Sequence, residues 1–280
     1  MASTGPTVRH RRLGRELRRL RENVSLTLDD VATQLRWSTA KVSRIENART
    51  MPSGTDIANA CDLYGVDSST KAELIQLGRD AGQRGWWTAY NDVFASAYVG
   101  LEAEASIIRT WEPLLIPGLL QSEDYAREII QAGRPDLTDA ELERRVDARM
   151  SRKINLLGAH APILHAILDE CALHRVVGSF GVMARQLDNI LQVVDWPNIT
   201  VQVLQLRVGA HAGLEGAFSV LSFDDEDPDV GYIGCPGGDI YVEATDQVRH
   251  FKLTFERLAS ASLPPDESAA FIAAARSEHD

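Results

Sequence analysis

Cysteine is scarce in this chain. There are three in 280 residues, at positions 61, 171 and 235, with no C-x-x-C pair among them. That pattern excludes a disulfide framework and a thiolate zinc site, and three buried apolar thiols are the plain alternative. Long apolar runs are missing too: none approaches the roughly 20 residues of a bilayer-spanning helix. The arginine-rich beginning has no apolar stretch of the secretory kind, so a cytoplasmic chain with no membrane partner is expected. Catalytic signatures are equally thin. His160 and His165 flank Pro162 at a spacing of five and cannot share a helix face as an H-E-x-x-H pair does. His174 and His211, with Asp169, Glu170 and Cys171, offer no better ligand or nucleophile spacing. The segment GAHAGLEG (209–216) is glycine-rich but fits neither G-x-G-x-x-G nor a P-loop, whose lysine it lacks. No metal, cofactor or catalytic set is therefore expected, and an enzyme is the least supported class.

What is present is a sharp division of charge. The chain is 44% hydrophobic and 25% charged, as soluble globular proteins are, and long enough for two domains. Its net charge is -11, yet residues 1–55 hold eleven Lys or Arg against five Asp or Glu. That segment is +6, leaving -17 for the other 225 residues. A basic head on an acidic body suits a nucleic-acid reader joined to a control domain.

Within the head the apolar period is helical. Leu13, Leu17 and Leu20 place one stripe on a first helix over 8–23, with arginines on the rest of its surface. Thr27 caps a second helix whose first turn holds Asp29 and Asp30, and whose stripe is Leu28, Val31 and Leu35. After a break at Arg36–Trp37, Ser38 or Thr39 caps a third helix to about residue 47, with Val42 and Ile45 inward. A fourth helix over 53–64 closes the core with Ile57, Ala58, Cys61 and Leu63, and a fifth runs over 68–84. Two short helices joined by a tight turn form a helix-turn-helix, the second of which enters the major groove of DNA. On the outer face of that helix, Thr39, Ala40, Lys41 and Arg44 are expected to reach base edges. Ser38, Ser43, Thr27, Arg12, Arg15 and Arg49 are expected to hold phosphates. The competing assignment is a solvated polar face in a helical protein–protein module.

Beyond a join at 82–93 that contains Trp86–Trp87, helical and strand periods mix. AEASIIRTWEP leaves strand and helix open. Ser122 caps a helix closed by Gly133, and Thr138 with Glu141 forms a capping box for a long helix to about 158. Strands are expected over 161–170, 198–206, 217–223, 230–234 and 239–244, with helices over 179–194, 245–262 and 264–277. The fold class is therefore α+β: an all-α five-helix domain over 1–80, a linker over 81–92, and a larger mixed α/β domain over 93–280. In the glycine-rich loop, His211, Gly213 and Gly216 are the candidate partner or ligand contacts, against the plainer assignment of a connection between strands.

Two resemblances add to this. The stretch SLTLDDVATQLRWSTAKVSRIENARTMPSGTDIANACDLYGV, above all KVSRIEN, resembles the Cro/C1 (XRE) type of helix-turn-helix domain. Arg36 and Ala48 stand where that type commonly has glycine; a positive φ at either costs about 1 kcal/mol relative to glycine. The stretches LEAEASIIRTWEPLLIPGLLQSEDYAREII, ILDECALHRVVGS, QLDNIL, NITVQVLQLRVGAHAGLEGAFSVLSF and YVEA resemble the DUF5753, or Scr1-type antitoxin-like, domain of actinobacterial XRE regulators. Gln205–Leu206 departs from that family's proline and aromatic pair. The resemblance implies a small DUF397-type protein as partner, beside double-stranded DNA, and a homodimer is expected because paired modules read a palindrome. Two other functions stay open: an antitoxin that neutralises the small partner, and a repressor that responds to a small molecule.

Overall fold

The computed structural model describes residues 8–81, 90, 93, 98–158, 161–224, 227–236 and 238–279. The Trp86–Trp87 pair, most of the join around it and His160 lie outside the described residues. The chain divides into two compact units, 1–101 and 102–280, which are described separately.

Five helices make the first unit's core: α1 (Val8–Asn23), α2 (Leu28–Leu35), α3 (Thr39–Glu46), α4 (Gly54–Leu63) and α5 (Ser68–Ala81). Leu13, Leu17, Val31, Val42, Ile45, Ile57, Cys61, Tyr64 and Leu74 share one buried cluster. In α4 the buried alanine is Ala60, while Ala58 is only half-buried. The inner stripe is thus 57, 60, 61 and 64, the i, i+3, i+4, i+7 set. Thr27 and Asp30 form a complete capping box on α2, as do Ser53 and Asp56 on α4. Arg36 and Ala48 both take positive φ, 56° and 52°. Each ends a helix with its Cβ against the backbone, where glycine would meet no such strain.

The boundary at 101 falls within α6 (Tyr98–Glu104), and β1 (Ile107–Glu112) follows, which resolves the ambiguous AEASIIRTWEP stretch: its β-branched and aromatic run is a strand. There follow α7 (Glu123–Gly133), α8 (Asp139–Ser151), β2 (Ile163–Asp169), α9 (Glu170–His174), α10 (Phe180–Val193), β3 (Ile199–Leu204), β4 (Phe218–Ser222), β5 (Val230–Ile233), β6 (Ile240–Val242), α11 (Thr245–Ala261) and α12 (Pro265–Ser277). The capping box of Thr138 and Glu141 starts α8, but the helix stops at Ser151 instead of continuing to 158. A 3-10 turn, Arg152–Leu156, takes over. Arg152 there makes a buried pair of bonds to Glu102 (2.8 and 2.5 Å), which anchors the turn.

One six-stranded sheet has the order β3-β2-β1-β4-β5-β6. β1, β2 and β3 run parallel, and β4 to β6 add antiparallel. Helices connect the parallel strands, as parallel pairing requires. Trp111, Ile167, Leu204, Phe218 and Val220 form one buried face and pack with Val248, Phe255 and Leu258 of α11. Alternate residues Ile108, Leu164, Leu168 and Leu221 are also buried, so the central strands are covered on both sides.

Candidate nucleic-acid interface

The helix-turn-helix is assembled by contacts that hold α3 from behind. Val42, Ile45 and Glu46 are its buried residues, a spacing that puts them on one face. Glu46 accepts two bonds from Arg21 of α1, at 2.7 and 2.9 Å, and both side chains are buried. A third Arg21 nitrogen donates to the Leu26 carbonyl at 2.7 Å. The guanidinium thus ties α1 to α3 and to the turn before α2, and the carboxylate holds its charge firmly, raising the arginine above its ordinary value. The helices cross closely at Gly14, where an added Cβ would lie 2.8 Å from the carbonyl oxygens of both Ile45 and Glu46. Sequence reasoning passed over this pair. Its signal was available: Arg21 follows Leu17 by four residues, and Glu46 follows Val42 by four, so each sits on an apolar stripe.

The opposite side of α3 faces outward. Ser38 caps the helix, its hydroxyl accepting from the Lys41 N–H at 3.1 Å. Ser38, Thr39, Ala40 and Arg44 are exposed, and Lys41 and Ser43 are half-buried. Two of these side chains are engaged by residues of other helices. Thr39 donates its hydroxyl to Asp29 Oδ1 at 2.6 Å, joining the starts of α2 and α3. Lys41 Nζ lies 2.6 Å from Asp56 Oδ1 and 4.1 Å from the centre of the Trp37 ring. Burial would raise the Asp56 carboxyl, but Lys41 and Ser53 outweigh it and hold the group below its ordinary value. Thr27 spends its hydroxyl on Asp30 within the capping box. Arg49 is exposed in the turn after α3, its N–H bonded to the Arg44 carbonyl at 2.7 Å. On α1, Arg15 is exposed and Arg12 half-buried. The structure therefore brings the candidate residues of the third helix together on α3. It also gives two of them, Thr39 and Lys41, internal partners that the sequence did not reveal.

The glycine-rich loop of the second unit is anchored to the sheet. Trp111 Nε1 donates to the Gly213 carbonyl at 2.9 Å, and the Gly213 N–H donates to His211 Nδ1 at 3.2 Å. His211 in turn meets the edge of the Trp111 ring, centroids 5.4 Å apart. A Cβ on Gly213 would fall 2.6 Å from Trp111 Nε1, so this glycine is required by packing. Gly216 has φ 131° and open space around it. Elsewhere, burial pushes the Glu112 carboxyl at the end of β1 up to about 7, against the opposing pull of Arg149 and Arg152. Among the described residues, no group of three or more His, Cys, Asp or Glu is placed to hold a metal ion. Nor is any described helix long and apolar enough to cross a membrane.

A tight helix pair, buttressed from behind and polar in front, defines a helix-turn-helix protein. The model of a helix-turn-helix domain matches residues 12–74, which supports a DNA-binding regulator. Residues 95–274 match the model of DUF5753, a domain of unknown function, and the chain belongs to that family. No curated protein and no solved structure matches the chain.

Proposed function

We propose that this chain is a sequence-specific transcription regulator of the Cro/C1 type. Residues 1–80 read double-stranded DNA as one half of a homodimer, 81–92 link, and 93–280 sense a small protein partner of the DUF397 type. The observation that carries the first part is the two-sided character of α3. Val42, Ile45 and Glu46 are buried, while Ala40 and Arg44 project from the opposite face. Arg44 is suited to guanine O6 and N7, the Ala40 methyl to thymine, and Thr39 to a base-edge donor, since its own proton goes to Asp29. Ser38, Ser43, Thr27, Arg12, Arg15 and Arg49 are assigned to phosphates, contacts that position the helix without specifying sequence. The acidic second unit supports a control role, because its charge repels DNA and so favours a protein ligand.

The test is selection from a random duplex library by the full chain, followed by titration at several salt concentrations. Enrichment of two half-sites about 10 base pairs apart is expected. A population that stays random after selection overturns the proposal. For the second part, adding the purified DUF397-type protein should shift affinity for the enriched duplex; unchanged affinity would remove the sensing role.

A further inference from the structure

The outward residues of α3 do not all face the same way. At about 100° per residue, Ala40 and Arg44 lie opposite the buried set Val42, Ile45 and Glu46, whereas Lys41 is displaced by roughly a quarter turn toward α4. Its ammonium has two partners there. Asp56 Oδ1 takes it at 2.6 Å, and the Trp37 ring centre lies 4.1 Å away. Asp56 is itself immobilised. Its other oxygen accepts from the Ser53 N–H (3.1 Å) and the Ser53 hydroxyl (2.9 Å), as the capping box of α4. Trp37 packs on the apolar core between α2 and α3. A lysine reaching for guanine would have to leave a fixed carboxylate and an aromatic face at once.

We infer that Lys41 is a positioning residue that fastens α3 to α4 through Asp56 and Trp37, and that it does not touch DNA. Base discrimination on this face then rests on Ala40 and Arg44, with Thr39, tied to Asp29, presenting only its acceptor lone pairs. This inference rests on the DNA-reading proposal above. It differs from a phosphate or base role in a way that can be measured, because a positioning residue changes how well the reading helix is held and leaves the number of ionic contacts unchanged.

The experiment compares the wild type with K41A, K41R and D56N, all as full chains whose folding is checked by circular dichroism. Each is run through the same duplex selection and salt titration. K41A and D56N should each weaken binding of every duplex alike, by roughly threefold to fivefold, the worth of one partly exposed ion pair. The preferred sequence and the salt slope should stay as in the wild type. K41R, which can still pair with Asp56 and stack on Trp37, should restore affinity. The inference is overturned if K41A relaxes the preference at one base position, or if it flattens the salt slope by about one contact. A wild-type chain that enriches no duplex instead overturns the DNA-reading proposal itself, so the two failures are distinguishable.

Discussion

Arg21 and Glu46 form a buried, two-bond ion pair between the end of α1 and the last turn of α3, with nitrogen–oxygen distances of 2.7 and 2.9 Å. The pair is set beside an apolar core, where either charge alone is poorly solvated. Its two parallel bonds fix direction as well as distance. The reading helix is thus clamped by a contact 25 residues apart in sequence.

Removing one partner of this clamp should cost more than removing both. Arg21→Ala or Glu46→Ala leaves an uncompensated buried charge and should destabilise the first unit by about 3–5 kcal/mol. Arg21→Met with Glu46→Leu should recover much of that loss. Urea denaturation of the three variants checks the order; single variants as stable as the wild type would show that the pair is not desolvated.

Gly14→Ala should force α1 and α3 apart, because the new methyl meets two backbone carbonyl oxygens at 2.8 Å and backbone cannot rotate away. A loss of about 1–3 kcal/mol is expected, with weaker DNA binding from a displaced α3. Thermal melting and duplex titration of the same variant test both.

Arg36→Gly should act in the opposite direction. Arg36 is exposed and holds φ 56° at the end of α2. Relief of the left-handed strain should stabilise the unit by about 1 kcal/mol, less the entropy that glycine adds to the unfolded chain. A melting temperature at or below the wild type would contradict this.

Arg44→Ala should lower affinity by about 1–3 kcal/mol and relax preference at one base position. Arg15→Ala should weaken all sequences equally and flatten the salt slope. Competition between the enriched duplex and a scrambled one separates the two effects.

The raised Glu112 carboxyl predicts a pH dependence. Its ordinary value is 4.5 and its folded value about 7. Below pH 4.5 the group is protonated in both states. Between 4.5 and 7 the folded chain keeps a proton that the unfolded chain has released, so stability falls as pH rises through that window and levels off above it. The side chain is half-buried, so the fall is at most about 3 kcal/mol. Glu112→Gln should flatten the dependence and be the more stable form at pH 8, as melting curves from pH 4 to 8 will show.

Much of this was legible from local pattern. The stripe of Leu13 and Leu17, the caps at Thr27, Ser122 and Thr138, and the turn at Arg36–Trp37 each depend on residues within a turn or two of one another. In α4 the existence of the helix is legible, but its inner face is half missed: Ala58 and Leu63 are expected inward where Ala60 and Tyr64 are buried, although Ile57 and Cys61 already fix a stripe at i, i+3, i+4, i+7. The end of α8 was not legible because the helical pattern continues past Ser151, while the 3-10 turn that replaces it holds Arg152, whose partner Glu102 lies 50 residues away.

Charge segregation and period are properties of neighbouring residues, so the basic helical head, the acidic α/β body and the helix that presents Ala40 and Arg44 can all be read from them. Tertiary structure alone decided which polar groups on that helix are already spent. Asp29, Asp56 and Arg21 reach α3 from other helices, and no local rule states which carboxylate will meet which hydroxyl or ammonium. It also decided the sheet order, in which β1 pairs with β2 on one side and β4 on the other, since pairing is a matter of long-range burial and not of any strand's own residues.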